Sequence, residues 1–182
     1  MTNSIQTWTK DNFLDEPDIV RSSILEYDFN ETGNYPGSRS AQVDQSFANY
    51  LSQRLANVIG AKTINFFKDS FRFQICTEDA KTWVHSDPVD WTAILYLTPN
   101  APTAAGTGLY QHKSGISYSP SYLDDIGYVF DDWSCIYEFE NVYNRLIVFP
   151  GKHYHRSQRA GFGNDKYTAR LTQVFFFSYT PL

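Results

Sequence analysis

Three side chains in this sequence have the types and spacing to hold a metal ion. His85 and Asp87 lie two apart in Trp83-Val-His-Ser-Asp-Pro88, and a further histidine follows in Phe149-Pro-Gly-Lys-His-Tyr-His-Arg-Ser157. Two imidazoles and one carboxylate bind Fe(II) on one face and leave positions open for a cosubstrate and oxygen. In an extended chain residues i and i+2 point to one side, so a strand presents His85 and Asp87 together and turns Ser86 away. Lys81-Thr-Trp-Val-His85 carries β-branched and aromatic residues and reads as that strand. Alone, a His-x-Asp tripeptide beside Pro88 is more often a surface or helix-capping pair. Its weight comes from what lies downstream.

Asn144-Arg-Leu-Ile-Val-Phe-Pro150 reads as an apolar strand that stops at a Pro-Gly turn and delivers His153 and His155. These two histidines could face the same side, and the residues alone leave both open as the distal ligand. Tyr167-Thr-Ala-Arg-Leu-Thr-Gln-Val-Phe-Phe-Phe-Ser178 reads as a final long strand with Arg170 and Thr172 on one face. A guanidinium offers a planar fork and a hydroxyl adds another donor, a combination suited to a carboxylate. Phe175, Phe176 and Phe177 are expected to belong to the core of that strand.

In this order the motifs resemble the 2-oxoglutarate and Fe(II) dependent dioxygenases, and most of all their small prolyl-hydroxylase-like members. Trp91-Thr-Ala-Ile-Leu-Tyr-Leu-Thr98 and Gly106-Thr-Gly-Leu-Tyr-Gln-His-Lys113 extend the resemblance, which covers residues 71 to 178. It implies that Fe(II) is held by His85, Asp87 and His155, because the family's distal histidine follows the strand after a short turn and precedes Arg-Ser or Ser-Gly. His153 then becomes a neighbour of the pocket. The resemblance further implies that Arg170 and Thr172 hold the far carboxylate of 2-oxoglutarate, with O2 as oxidant. The expected reaction is hydroxylation of an amino acid or peptidyl residue, with release of succinate and CO2. Tyr96 and Tyr110 are candidate donors to the cosubstrate, and His112, His153 and Arg39 are candidate substrate residues. Arg156 and Arg159 are rival anion binders. Two other readings stay open: a cupin-like metal enzyme that does not use 2-oxoglutarate, and a catalytically silent binding module.

Composition sets the outer bounds. A chain of 182 residues, 42% apolar and 17% aromatic, is one globular domain with enough length for a real core. Its net charge of -5 and lack of a basic tract argue against a nucleic-acid partner and leave a small molecule or peptide as the expected one. Cys76 and Cys135 show no paired spacing and suit a reducing compartment. The polar start, with no apolar stretch near the roughly 18 residues of a membrane span, is expected of a soluble, cytoplasmic protein.

The elements that must position the trio fall in two blocks. Asp15-Glu-Pro-Asp opens a first helix with Ile19, Val20, Ile24 and Tyr27 at helical spacing. After a loop at Gly33-Asn-Tyr-Pro-Gly-Ser38, the residues Val43, Phe47, Tyr50, Leu51, Leu55, Val58 and Ile59 trace the apolar stripe of a second helix ending at Gly60. From Thr63 the texture becomes β, with Phe71, Phe73 and Ile75 alternating against Arg72, Gln74 and Cys76. Thr98 to Gly108 reads as a flexible loop. Ser117 to Glu140 reads as an acidic, aromatic insert with a helix around Tyr122 to Trp133. Helices first and strands afterwards predict an α+β domain over 1–182, with helices in 13–60 and a β core in 63–180. The resemblance implies that this core is a double-stranded β-helix, a cupin-like jelly roll, with the helices packed on one sheet.

Overall fold

The computed structural model describes residues 4–119, 126–159 and 161–182. Its strands are β1 (Trp8–Lys10), β2 (Ser38–Gln42), β3 (Ala61–Phe66), β4 (Arg72–Cys76), β5 (Trp91–Tyr96), β6 (Thr107–His112), β7 (Trp133–Phe139), β8 (Leu146–Pro150), β9 (His155–Ser157) and β10 (Arg170–Pro181). Helix α1 (Pro17–Ile24) precedes β2 and helix α2 (Gln45–Ile59) follows it.

Both ends of α2 are written locally. The Asp44 carboxylate accepts the Phe47 N–H at 2.9 Å, and Gly60 takes the left-handed conformation that closes the last turn. Between them Ala48, Leu51, Leu55 and Ile59 form the buried stripe. Full burial of a leucine such as Leu51 or Leu55 contributes about 1.5–3 kcal/mol. Helix α1 starts at Pro17 but is shorter than its apolar spacing predicts. Ile19 is 64% exposed, and Tyr27 lies beyond the helix with its ring against Phe73. The side of α1 facing the protein is instead anchored by Arg21, which donates to Leu97 O at 3.1 Å and Tyr167 O at 2.6 Å.

Two sheets form the double-stranded β-helix. The larger has seven strands in the order β1-β8-β5-β10-β4-β2, with β3 also on β10, and the smaller has the order β7-β6-β9. All pairings are antiparallel. The period of two decides which residues reach the interior. Leu171, Phe175 and Phe177 of β10, Ala93 and Leu95 of β5, and Leu146 and Val148 of β8 join the helix residues in the main core. The opposite faces of β5 and β8 send Tyr96, Ile147 and Phe149 between the sheets, against Leu109 and Phe139. The helices therefore pack on the outer face of the larger sheet, as expected.

Several local expectations give way to tertiary pairing. Residues 81–84 are not a strand; His85 makes a single antiparallel bridge to His155. The loop from Thr98 is tied to the body at Thr98 and at Ala105. Its Thr98 hydroxyl donates to Ala169 O and accepts from Leu171 N, both at 2.8 Å, and Ala105 is fully buried. Much of the expected insert is strand β7, which pairs with β6 and completes the smaller sheet. Of its expected helix, residues 122–125 lie outside the described residues, and the remainder forms short 3-10 turns at Ile126–Tyr128 and Phe130–Asp132. The last strand begins at Arg170 because Asp165 holds Thr168 in a turn just before it. No described helix is long and apolar enough to cross a membrane.

Candidate active site

Backbone pairing brings the first two predicted ligands to the third. His85 N–H donates to His155 O at 3.0 Å, and His155 N–H returns to His85 O at 2.7 Å. Asp87 N–H donates to Gly151 O at 2.8 Å, which ties the segment to the turn after β8. An extended chain between these ties puts His85 and Asp87 on one side even without a strand. The ligand atoms of His85, Asp87 and His155 all lie within 4.8 Å of one another. His153 is not in this group. Its ring is fully buried against Tyr118, with Nδ1 3.1 Å from Tyr154 O and Nε2 without a hydrogen-bond partner among the described residues.

The donor chemistry suits a divalent cation. His85 Nδ1 sits 3.0 Å from Trp83 O, and His155 Nδ1 sits 2.8 Å from His153 O. A carbonyl oxygen only accepts, so each Nδ1 carries the hydrogen and each Nε2 keeps its lone pair for a metal. His155 Nε2 stands 3.3 Å from Asp87 Oδ2, and Thr92 donates to that same oxygen at 2.6 Å. Burial, aided by the neighbouring His155, pulls the His85 pKa down to about 4 and so favours its neutral, ligating form. For Asp87, burial pushes upward, but the adjacent imidazoles of His155 and His85 and the bond from Thr92 outweigh it and leave the carboxyl at about 2. Phe149 closes one side of the His155 ring at 4.8 Å.

A narrow cavity runs from this trio along the inner face of β10, where Arg170, Thr172, Val174 and Phe176 line it in alternation. Arg170 is 4% exposed, donates through Nε to Ala105 O at 3.3 Å and lies over the Tyr96 ring. Among the described residues no carboxylate lies within salt-bridge distance of it. Tyr96 is fully buried behind this end, its hydroxyl hydrogen-bonded to Thr107 at 2.8 Å.

Other predicted residues fall elsewhere. The Tyr110 hydroxyl donates to Gln158, and the Arg156 guanidinium lies over the Phe130 ring at 4.2 Å, outside the cavity lining. His112 also lies outside that lining, with Nδ1 2.8 Å from Ser114 Oγ and its ring edge-on to Trp133. Arg39 does enter the cavity, together with Tyr35, Gln74, Cys76 and Thr92, which sequence reasoning did not single out. The signal for Gln74 and Cys76 was present in the alternation of β4. The alternation does not say which face is interior, and both residues are buried between the sheets.

No protein-family model matches the chain, and no curated protein matches it in sequence. Solved structures match it in fold. HygX from Streptomyces hygroscopicus, with nickel and 2-oxoglutarate bound, is 14% identical at a TM-score of 0.65, over 97% of this chain and 84% of that one. A Pseudomonas putida prolyl-4-hydroxylase is 15% identical at a TM-score of 0.51, over 97% and 94% of the two chains. A prolyl hydroxylase from Trichoplax adhaerens, in complex with a hypoxia inducible factor peptide fragment, is 13% identical at a TM-score of 0.51, over 96% and 84%. At these identities the likeness establishes a shared fold, the double-stranded β-helix.

Proposed function

We propose that the protein is an Fe(II)- and 2-oxoglutarate-dependent dioxygenase that hydroxylates an amino acid, free or within a peptide. One observation carries the reading: a single cavity has the His85, Asp87 and His155 trio at one end and the buried, carboxylate-free Arg170 at the other. A buried guanidinium without a counter-ion is costly, and an elongated dicarboxylate reaching from a metal would supply that counter-ion. The same fold in HygX was solved with nickel, 2-oxoglutarate and hygromycin B, and a likeness to prolyl hydroxylases gives the amino-acid substrate its first place.

His85 and His155 would hold Fe(II) through Nε2 and Asp87 through a carboxylate oxygen, a donor set typical of non-haem iron oxygenases. When bound, Fe(II) and 2-oxoglutarate supply oxidative decarboxylation, in which O2 is consumed, succinate and CO2 leave, and one oxygen atom enters a substrate C–H bond. The chain's own residues orient and seal. Arg170 and Thr172 anchor the far carboxylate, and the backbone carbonyls of Trp83 and His153 hold both imidazoles in the ligating tautomer. Thr92 fixes one Asp87 oxygen, and Ile94, Val174 and Phe149 exclude water from the metal end. The remaining functional proposals are O2 as oxidant and a small molecule or peptide as partner.

The test is to add Fe(II) anaerobically, then 2-oxoglutarate, and record the weak visible charge-transfer band of the chelate in the native protein and in Arg170→Ala. A band that the native protein forms and the variant loses supports the cosubstrate and its anchor. Iron binding without the band points to a cupin-like metal enzyme, and absence of iron binding points to a silent module.

A further inference from the structure

A second buried guanidinium stands where the narrow cavity opens. The cavity measures about 60 Å³ and gives onto an outer groove of about 510 Å³. Tyr35, Arg39, His85, Asp87 and Phe176 line both, so Arg39 marks the junction between the trio and the groove. Arg39 is only 9% exposed, and among the described residues no carboxylate lies within salt-bridge distance of it. Its neighbour Arg72 is compensated, by Glu31 at 2.5 Å and Asp69 at 3.7 Å. Burial holds the Arg39 pKa below the ordinary guanidinium value, so the cation is poorly solvated there.

The side chain is also pre-set. Gln74 donates through Nε2 to Pro36 O at 2.8 Å, which turns its Oε1 to accept the Arg39 Nε–H at 2.8 Å. The Tyr35 ring lies 3.8 Å from the Arg39 guanidinium carbon, with Phe176 on another side at 5.7 Å. With Nε engaged, the two terminal amino groups remain as a fork, and among the described residues no hydrogen bond occupies them. A planar carboxylate fits that fork end-on.

From this we infer that Arg39 is a specificity-determining residue that binds the carboxylate of a small free acid, an α-amino acid first among them, and places its side chain at the metal. The inference rests on the dioxygenase reading and narrows it, because an internal peptidyl residue has no carboxylate to offer the fork.

The experiment forms the anaerobic Fe(II) and 2-oxoglutarate chelate in the native protein, Arg39→Gln and Arg39→Lys, then titrates each with the twenty L-amino acids and with their primary amides. The perturbation of the visible band is read first, and 2-oxoglutarate consumption after admission of air second. The expected result is that at least one acid shifts the band of the native protein, with its amide about 100-fold weaker. Arg39→Gln should form the chelate normally and respond to that acid about 100-fold more weakly, and Arg39→Lys, which keeps charge but lacks the fork, should fall between. The inference is overturned if the native chelate forms but no amino acid shifts it, if amides act as well as acids, or if Arg39→Gln responds like the native protein. Loss of the chelate in both variants also overturns it, by assigning Arg39 to the cosubstrate or the fold. A native protein that forms no chelate defeats the dioxygenase reading itself, and this inference with it.

Discussion

Replacing Arg170 by methionine should separate stability from binding. Methionine fills much the same volume without a charge, and the fold gives up a 3.3 Å hydrogen bond from Nε to Ala105 O and the guanidinium's contact with the Tyr96 ring. Exchanging a buried ion for an apolar group of similar size is often neutral or stabilising, so the metal-free variant should melt no lower than the native protein. Binding should move the other way. Truncating one partner of a buried, hydrogen-bonded charge pair costs about 2–5 kcal/mol, which weakens 2-oxoglutarate about 30-fold to several thousand-fold. Ligand at 100 times its Kd stabilises a native protein by about 2.7 kcal/mol, and in a domain of this size each kcal/mol raises Tm by about 2–4 °C. With nickel(II) as a metal that does not turn over, 2-oxoglutarate should therefore raise the native Tm by about 5–11 °C and that of Arg170→Met by no more than about 3 °C at the same concentration. Calorimetric melts with and without 2-oxoglutarate decide it. An equal shift in both proteins would refute the anchoring role, and a collapse of the metal-free variant would refute the claim that the charge is there for a ligand.

His155→Ala should cut metal affinity by more than about 100-fold, whereas His153→Ala should stay within about tenfold, because the bond that orients His155 comes from the backbone carbonyl of His153 and survives the change; equilibrium dialysis with metal analysis checks both. Gly37→Ala should lower stability by more than about 1 kcal/mol, since Gly37 has φ +69 and an added Cβ would sit 2.0 Å from Ile75 O; urea unfolding measures it. Asp11→Asn should cost less than about 1 kcal/mol at pH 7, because the Asp11–Arg145 pair is exposed. The Arg145 guanidinium bonded to Asp11 holds its carboxyl below the ordinary 3.8, so the pair's contribution is present above that value and lost as pH falls through the lowered one. Melts of variant and native protein should converge at that acid end.

Helix α2 and strand β8 were legible because their information is local: an apolar stripe closed by Gly60 in one case, an apolar run ended by a Pro-Gly turn in the other. The candidates His85, Asp87, His155, Arg170 and Thr172 were legible from their order along the chain. Local pattern could not choose between His153 and His155, since a period of two allows both; the bridge from His155 back to His85, seventy residues away, sets the His155 ring beside His85 and Asp87. Nor could it rank Arg170 against Arg156 and Arg159, or set Arg39 and Gln74 in the cavity with His85 and Asp87. Those placements follow from β10 lying between β4 and β5, with β2 on the far side of β4. The same pairing made β7 a strand where acidic residues suggested an insert, and placed the polar face of β4 in the interior. Residue types and spacing determined which chemistry was available in this chain. Long-range pairing, which no short window of sequence contains, decided which side chains share one cavity.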